Sequence, residues 1–269
     1  MSNTPEFSDL LKKEREGIGA GVIGRYAPSP TGHLHWGNIF AALMAWLQCR
    51  LAGGRFFLRM EDLDQPRVRP GSVDSILQDL LWLGLNWDAS GEENRGMVSQ
   101  SRRRIIYDAA LTYLDNQQKI FPCGCSRKDI ALAVSAPHAE SRKALIYPGT
   151  CRDLPRNTTI KQSTWRYRVP ESNIEFTDEL LGMHRQSLHQ DVGDFVLRRA
   201  DGVYAYQLVV VVDDLLMGVT DVVRGADLLD STPRQIELFN KLGGVTPRFW
   251  HTPLLCDDQG VRLSKRNEA

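Results

Sequence analysis

The sequence predicts a mixed α/β fold, a Rossmann-like doubly wound parallel sheet split by a metal-binding insertion. Three observations lead there. Short apolar runs alternate with helix-patterned stretches over roughly the first 120 residues. That alternation stops near residue 120, in a stretch rich in cysteine, proline and basic residues, and resumes after about residue 191. Three of the five cysteines, Cys123, Cys125 and Cys151, fall in the interruption.

In chain order, residues 21–26 (GVIGRY) read as a short buried strand, followed by the turn APSPTG. A helix is expected over about 35–51, with Ile39, Leu43, Trp46 and Leu47 on one face and Gly53-Gly54 ending it. Residues 55–60 (RFFLRM) read as a second strand, and Ser72 as the cap of a helix carrying Ile76, Leu77, Leu80 and Leu81. Strand, helix, strand, helix at this spacing calls for a parallel sheet with crossover helices. The insertion takes 121–191. Beyond it, 194–199 and 203–206 suggest a hairpin about Asp201-Gly202, then come a helix over 206–216, a strand over 219–224 and a helix opened by Pro233 and running to Leu242. The expected division is therefore 18–120 and 192–243 as two halves of one catalytic domain, 121–191 between them, and 244–269 as a closing segment.

The chain of 269 residues is long enough to bury a substantial core, and 42% hydrophobic with 25% charged residues is ordinary for a globular protein. The longest apolar run, 208–212, is far too short to span a bilayer. No apolar core follows a basic start at the N-terminus, so no signal peptide is expected. An odd number of cysteines, three of them clustered, suits a reducing, cytoplasmic setting and a metal site better than a disulfide framework. The net charge is zero, but residues 123–170 hold nine Lys or Arg against three Asp or Glu. A basic module on an acidic body suits a polyanionic partner such as nucleic acid.

The segment from Arg25 to Asn38 joins a strand to a helix start, where free N–H groups and the helix dipole favour phosphates. Gly32 and Gly37 permit close backbone approach, and His35 can donate to a phosphate oxygen. Taken alone, such a segment is a strand–helix corner with its caps. Far downstream, Arg262-Leu263-Ser264-Lys265-Arg266 follows Gly260 in a polar turn, and Lys265 is a mobile point charge suited to a polyphosphate. Cys123-x-Cys125 and Cys151 offer three thiolates for a tetrahedral, structural zinc. Chemistry leaves its fourth ligand open, with His138 or water favoured over the rarer tyrosine.

The two distant segments together resemble the HIGH and KMSKS signatures of class I aminoacyl-tRNA synthetases, written here as His35-Trp36-Gly37-Asn38 and Arg262-Leu263-Ser264-Lys265-Arg266. Trp36, Asn38, Arg262, Leu263 and Arg266 depart from the generic motifs, whereas His35, Gly37, Ser264 and Lys265 keep them. Arg25-x-Ala-Pro-Ser-Pro-Thr-Gly, Arg59-Met-Glu61-Asp62-Leu-Asp64, Tyr206-Gln-Leu-x4-Asp213-Asp214 and Val223-Arg224-Gly-Ala-Asp-Leu-Leu resemble the glutamyl branch, over residues 21–268. The resemblance implies L-glutamate bound by Arg25, Ala27, Ser29, Glu61, Tyr206 and Arg224. It implies ATP, with Mg²⁺, held at His35, Gly37, Asn38, Ser264 and Lys265, with His35 and Lys265 catalytic. It also makes Tyr147 the fourth ligand of one structural zinc, beside Cys123, Cys125 and Cys151. The chemistry agrees, since a dicarboxylate with an ammonium group calls for two cations and an anion; Arg25 and Arg224 can each offer a bidentate fork and Glu61 the anion.

The sequence given ends four residues after Lys265, without the anticodon-binding region of the long glutamyl enzymes. It thus resembles their short paralogous family, which attaches glutamate to queuosine in the anticodon of tRNA(Asp). Val210 adds a second sign, because the long enzymes usually carry asparagine there, and the lost polar contact is worth about 1–3 kcal/mol of glutamate binding. Three other readings stay open: a truncated synthetase charging the tRNA 3′ end, a nucleotidyltransferase for another acid, and a catalytically inactive RNA-binding relic.

Overall fold

Residues 5–16, 21–89, 96–126, 128–130, 146–155, 158–160 and 163–257 are described by the computed structural model. The chain opens with α1 (Phe7–Glu16), then β1 (Ile23–Tyr26), α2 (Trp36–Leu51), β2 (Arg55–Met60), α3 (Ser72–Trp82), β3 (Val98–Ser99) and α4 (Arg104–Asn116). β1 and β2 pair in parallel, with Ile23 opposite Arg55, and β3 extends the sheet on the other side of β2. Five of the six β2 residues are buried, as expected for a parallel strand covered on both faces. Alternation sends Phe56, Leu58 and Met60 into one apolar cluster with α2 and α3, and Phe57 into another with α1, α4 and a later helix.

Gly53, at φ +65°, terminates α2 in the left-handed conformation, and a Cβ on Gly54 would stand 2.4 Å from the Val22 carbonyl. The buried face of α2 differs from the expected stripe of large residues. Ala42, Ala45 and Cys49 are its buried positions, while Leu43 is exposed and Ile39, Trp46 and Leu47 are half-buried. Small side chains let the helix lie close on β1, where Gly24 faces Cys49. In α3 Ile76, Leu77 and Leu80 do pack, whereas Leu81 and Trp82 are exposed. Ser72 is the first residue of α3, not its cap; the cap is Gly71, and the Ser72 hydroxyl donates to the Arg69 carbonyl at 2.6 Å.

The middle of the chain adds β4 (Ile120–Cys123), β5 (Thr164–Tyr167), β6 (Asn173–Asp178), β7 (Gly182–Ser187) and β8 (Val196–Arg198). β4, β5 and β8 form a small antiparallel sheet. The hairpin expected about Asp201-Gly202 is reduced to a tight turn and one bridge, Arg198 to Tyr204, because Tyr206 already begins the next helix. That helix is α5 (Tyr206–Leu216), followed by β9 (Asp221–Gly225), α6 (Thr232–Lys241) and β10 (Arg248–Thr252). β10 pairs in parallel with β9 on one side and β6 on the other, so the β6–β7 hairpin of the 121–191 stretch shares a sheet with the strands that close the fold.

The parallel sheet of β1, β2 and β3 and the mixed sheet of β7, β6, β10 and β9 meet where β1 adjoins β9. Thr220 N–H donates to the Ile23 carbonyl, and Ile23 N–H to the Thr220 hydroxyl, both at 2.9 Å. β1 leads outward to β2 in one direction and β9 to β10 in the other, so the winding reverses here. The crevice beyond the carboxyl ends of such strands is where open α/β sheets place their ligands. Among the described residues no helix is long and apolar enough to cross a membrane.

Candidate functional site

A cavity of about 870 Å³ opens at that junction. Its walls come from the ends of β1 and β9, the loop after β1, the first turn of α2, Glu61 after β2, Tyr206 at the head of α5 and the segment after β10. Arg25, Ala27, Ser29, His35, Gly37, Asn38, Glu61, Tyr206 and Arg224 all line it. Ser264, Lys265 and the rest of their motif lie outside the described residues, as does His138.

The floor is a buried charge network that strand alternation creates. Arg25 of β1 and Arg59 of β2 point to the face covered by α5, where Asp213 and Asp214 follow the apolar run from Leu208 to Val212. Asp214 accepts from Arg59 Nη1 at 2.6 Å and Arg25 Nε at 3.2 Å, and burial is outweighed by these two cations, which hold its carboxyl below the usual range. Asp213 accepts from Arg103 Nε and Gln100 Nε2, both at 2.8 Å, and from the Tyr107 hydroxyl. Glu61 stands 3.5 Å from Arg59 Nη2, yet burial pushes its carboxyl up to about 7 against that pull. The pairing with Arg59 is therefore loose, and Glu61 is an anion poised to form.

Arg224 differs from the other two arginines of the site, Arg25 and Arg59. It is buried, and each of its hydrogen bonds within the described residues goes to a neutral group: Nε to His251 Nε2 at 3.0 Å, Nη1 to Gln235 Oε1 at 2.7 Å, Nη2 to Thr232 Oγ1 at 2.8 Å and to the Leu228 carbonyl. Burial lowers its pKa, the mark of a cation whose charge is poorly compensated. All three nitrogens are engaged, so a bidentate fork there needs one protein bond to yield. Arg25 has its Nε on Asp214 and Nη1 on the Val223 carbonyl.

At the mouth of α2, His35 is the cap. Its Nδ1 accepts from Asn38 N–H at 3.3 Å, and Asn38 Oδ1 accepts from His35 N–H at 3.5 Å. With Nδ1 an acceptor, the neutral ring carries its proton on Nε2. Val210 does not line the cavity; it is buried in the apolar cluster around α5. Arg59, Asp213 and Asp214 stand in the sequence motifs with no task attached to them, and two adjacent carboxylates inside an apolar helix are the signal that they have one. His251 and Asp178 carry no such signal, since nothing local marks a histidine in a strand as a partner of a residue 27 positions away.

A second constellation lies at the end of β4. The sulfurs of Cys123, Cys125 and Cys151 lie within 4.8 Å of one another, and the Tyr147 hydroxyl is 3.4 Å from Cys123 Sγ and 3.9 Å from Cys125 Sγ. Zn–S bonds of about 2.3 Å at tetrahedral angles require sulfurs about 3.8 Å apart, so these donors could hold a metal ion. Burial and the neighbouring Cys151 push the Cys125 thiol up to about 11, so a thiolate there calls for the charge of an ion. Cys151 N–H donates to the Tyr147 oxygen at 2.7 Å, and the Arg166 guanidinium lies 4.0 Å over the Tyr147 ring.

The model of the class I tRNA synthetase (E and Q) catalytic domain matches residues 21–269. A glutamyl-Q tRNA(Asp) synthetase of Symbiobacterium thermophilum is 48% identical over 92% of this chain and 79% of its own length. One of Deinococcus radiodurans is 51% identical over 92% of this chain and 81% of its own. Among solved structures, a glutamate tRNA ligase from Elizabethkingia meningosepticum in complex with its amino acid superposes with a TM-score of 0.79 at 28% identity. The match takes in 91% of this chain but 52% of that one, so the chain spans about half the length of the ligase.

Proposed function

Since the chain belongs to the glutamyl-Q tRNA(Asp) synthetase family, ligases of the class I (E and Q) tRNA synthetase type, we propose that it activates L-glutamate with ATP and transfers the glutamyl group to queuosine in the anticodon of tRNA(Asp). The observation that carries the first step is Arg224, a buried cation with only neutral partners among the described residues, across one cavity from Arg25 and Glu61. Two guanidiniums suit the two carboxylates of glutamate, and Glu61 suits its ammonium. Tyr206, whose phenol burial keeps protonated, is a donor on the same wall, and Ala27 and Ser29 complete the pocket.

In the activating step a glutamate α-carboxylate oxygen attacks the α-phosphorus of ATP, and the bond to the β-phosphate breaks to release pyrophosphate. The start of α2, where His35, Gly37 and Asn38 line the cavity, offers the positive end of the helix dipole to the triphosphate. Mg²⁺ would accompany the phosphates, and Ser264 with Lys265 completes the set by resemblance. A hydroxyl of the queuosine diol then attacks the acyl carbon, and AMP departs. Because that diol mimics the ribose diol at a tRNA end, one active-site geometry serves such a nucleophile. Cys123, Cys125, Tyr147 and Cys151 would hold one zinc, which ties the loop after β4 to the segment around Cys151 and takes no part in the chemistry.

Glutamate-dependent exchange of pyrophosphate into ATP, run without RNA, tests activation; no exchange, or equal exchange with aspartate, sinks it. Labelled glutamate, ATP and tRNA(Asp) from cells able or unable to make queuosine test transfer. Label is expected only on the queuosine-containing tRNA, and label that depends on the terminal adenosine would restore end-charging.

A further inference from the structure

Asp178 and His251 lie behind Arg224, away from the cavity lining. They join two distant parts of the chain, Asp178 ending the β6 arm of a hairpin and His251 sitting in β10. Both are buried, at 1% and 0% exposure.

Hydrogen bonding fixes their protonation. An arginine only donates, so His251 Nε2, 3.0 Å from Arg224 Nε, must accept. The Thr232 hydroxyl, which itself accepts from Arg224 Nη2 at 2.8 Å, lies 3.2 Å from the same nitrogen and can donate to it. The ring proton is therefore on Nδ1, which donates to Asp178 Oδ2 at 2.6 Å. Asp178 is acceptor-only in turn, because Oδ1 takes Leu180 N–H at 3.1 Å and Leu181 N–H at 2.9 Å, and Oδ2 takes His251 N–H at 3.1 Å. Phe249 lies under the guanidinium at 5.3 Å and parallel to the imidazole at 14°.

We infer that Asp178 and His251 are positioning residues for glutamate recognition, a carboxylate–imidazole relay that orients Arg224 without neutralising it. This rests on the glutamate reading given above. A carboxylate placed directly on Arg224 would cancel the charge that the ligand needs, as Asp214 does for Arg59. The imidazole instead holds the carboxylate one ring width away. It fixes the plane of the guanidinium through a neutral acceptor, and the cation keeps its charge for a substrate carboxylate. The relay also ties the β6–β7 hairpin to the amino-acid pocket by a single chain of hydrogen bonds.

The substitution Asp178→Asn tests this. Oδ1 must still accept from Leu180 and Leu181, so the new amide NH₂ faces His251. It drives the ring proton to Nε2, where it opposes Arg224 Nε–H. Nitrogen-15 histidine spectra, with His251 assigned from its own variant, are expected to give an Nδ1–H ring in the unsubstituted enzyme and an Nε2–H ring in the variant. In pyrophosphate exchange the variant is expected to raise KM for glutamate by about tenfold to a hundredfold, the range for a buried donor left unmatched, with KM for ATP within about twofold. His251→Gln, which can present Oε1 in place of Nε2, should stay within about threefold of the parent, and His251→Leu should not. Should Asp178→Asn not fold, the two His251 variants carry the same comparison. A tautomer switch that leaves KM for glutamate unchanged, equal rises for glutamate and ATP, or an Nε2–H ring in the unsubstituted enzyme would overturn the relay. Failure of the unsubstituted enzyme to exchange with glutamate would overturn the glutamate reading itself, and the tautomer measured on the same sample keeps the two failures apart.

Discussion

Glu61 carries the clearest pH signature of any single residue. Burial raises its carboxyl to about 7, so below that pH it is neutral and lacks the charge that pairs with an ammonium group. Glutamate binding is therefore expected to strengthen as pH rises through about 7 and to level off above it; Glu61→Gln should flatten that profile at the weak, low-pH end. Titration calorimetry from pH 6 to 8.5 checks this, and an unchanged slope in the variant would remove Glu61 from the ammonium role. Asp214 makes the complementary case for stability. It lies between two buried guanidiniums, and Asp214→Ala is expected to cost about 3–5 kcal/mol in urea unfolding, because it takes the carboxylate from Arg25 and leaves Arg59 only the longer contacts to Glu61 and Asp213, at 3.5 and 3.6 Å. Residue types and spacing along the chain make Arg25, Glu61 and Arg224 legible as candidates. They do not say which arginine already touches a carboxylate, since that depends on which face of a strand meets α5. Arg25 and Arg59 meet Asp214 there, and Arg224 meets only neutral groups.

Elements are legible to the extent that a local signal fixes them. Gly53-Gly54 ends α2 as the sequence demands, for a left-handed φ and a backbone contact only glycine tolerates. The buried face of α2 departs from its stripe of large residues because size is not burial: where a helix lies tight on a strand, Ala42 and Ala45 go inside and Leu43 stays out. Pairing between remote strands leaves no trace in the sequence, so the partnership of β6 with β10 is visible only in the fold. The loop after β4 supports a prediction at this scale. One zinc per chain is expected by elemental analysis. Tyr147→Phe should speed its loss to a chelator, and it also leaves the Cys151 N–H without its acceptor, at a further cost of about 1–3 kcal/mol. His138→Ala should change neither, and the reverse pattern would assign the fourth ligand to His138.

The molecule as a whole meets its RNA with a zero net charge but a marked excess of Lys and Arg over residues 123–170. Binding of tRNA(Asp) is accordingly expected to weaken steeply between 50 and 200 mM salt, with a log–log slope near −0.9 for each phosphate neutralised. A shallow slope would take that basic stretch out of the interface. The junction of β1 with β9 carries a different consequence. Ile23 and Thr220 are 197 positions apart, yet their paired bonds join the two sheets at whose carboxyl ends the cavity opens. A ribosome delivering this chain releases Arg25 long before Arg224, so the cavity has only part of its lining in the interval. The early half must wait, its parallel edge unpaired, until the late half arrives. Folding is therefore governed by contacts of high sequence separation and should be slow for the chain's size. Ligands that bridge the seam would act as a clasp on the finished fold, visible as slower unfolding when glutamate and ATP are present together.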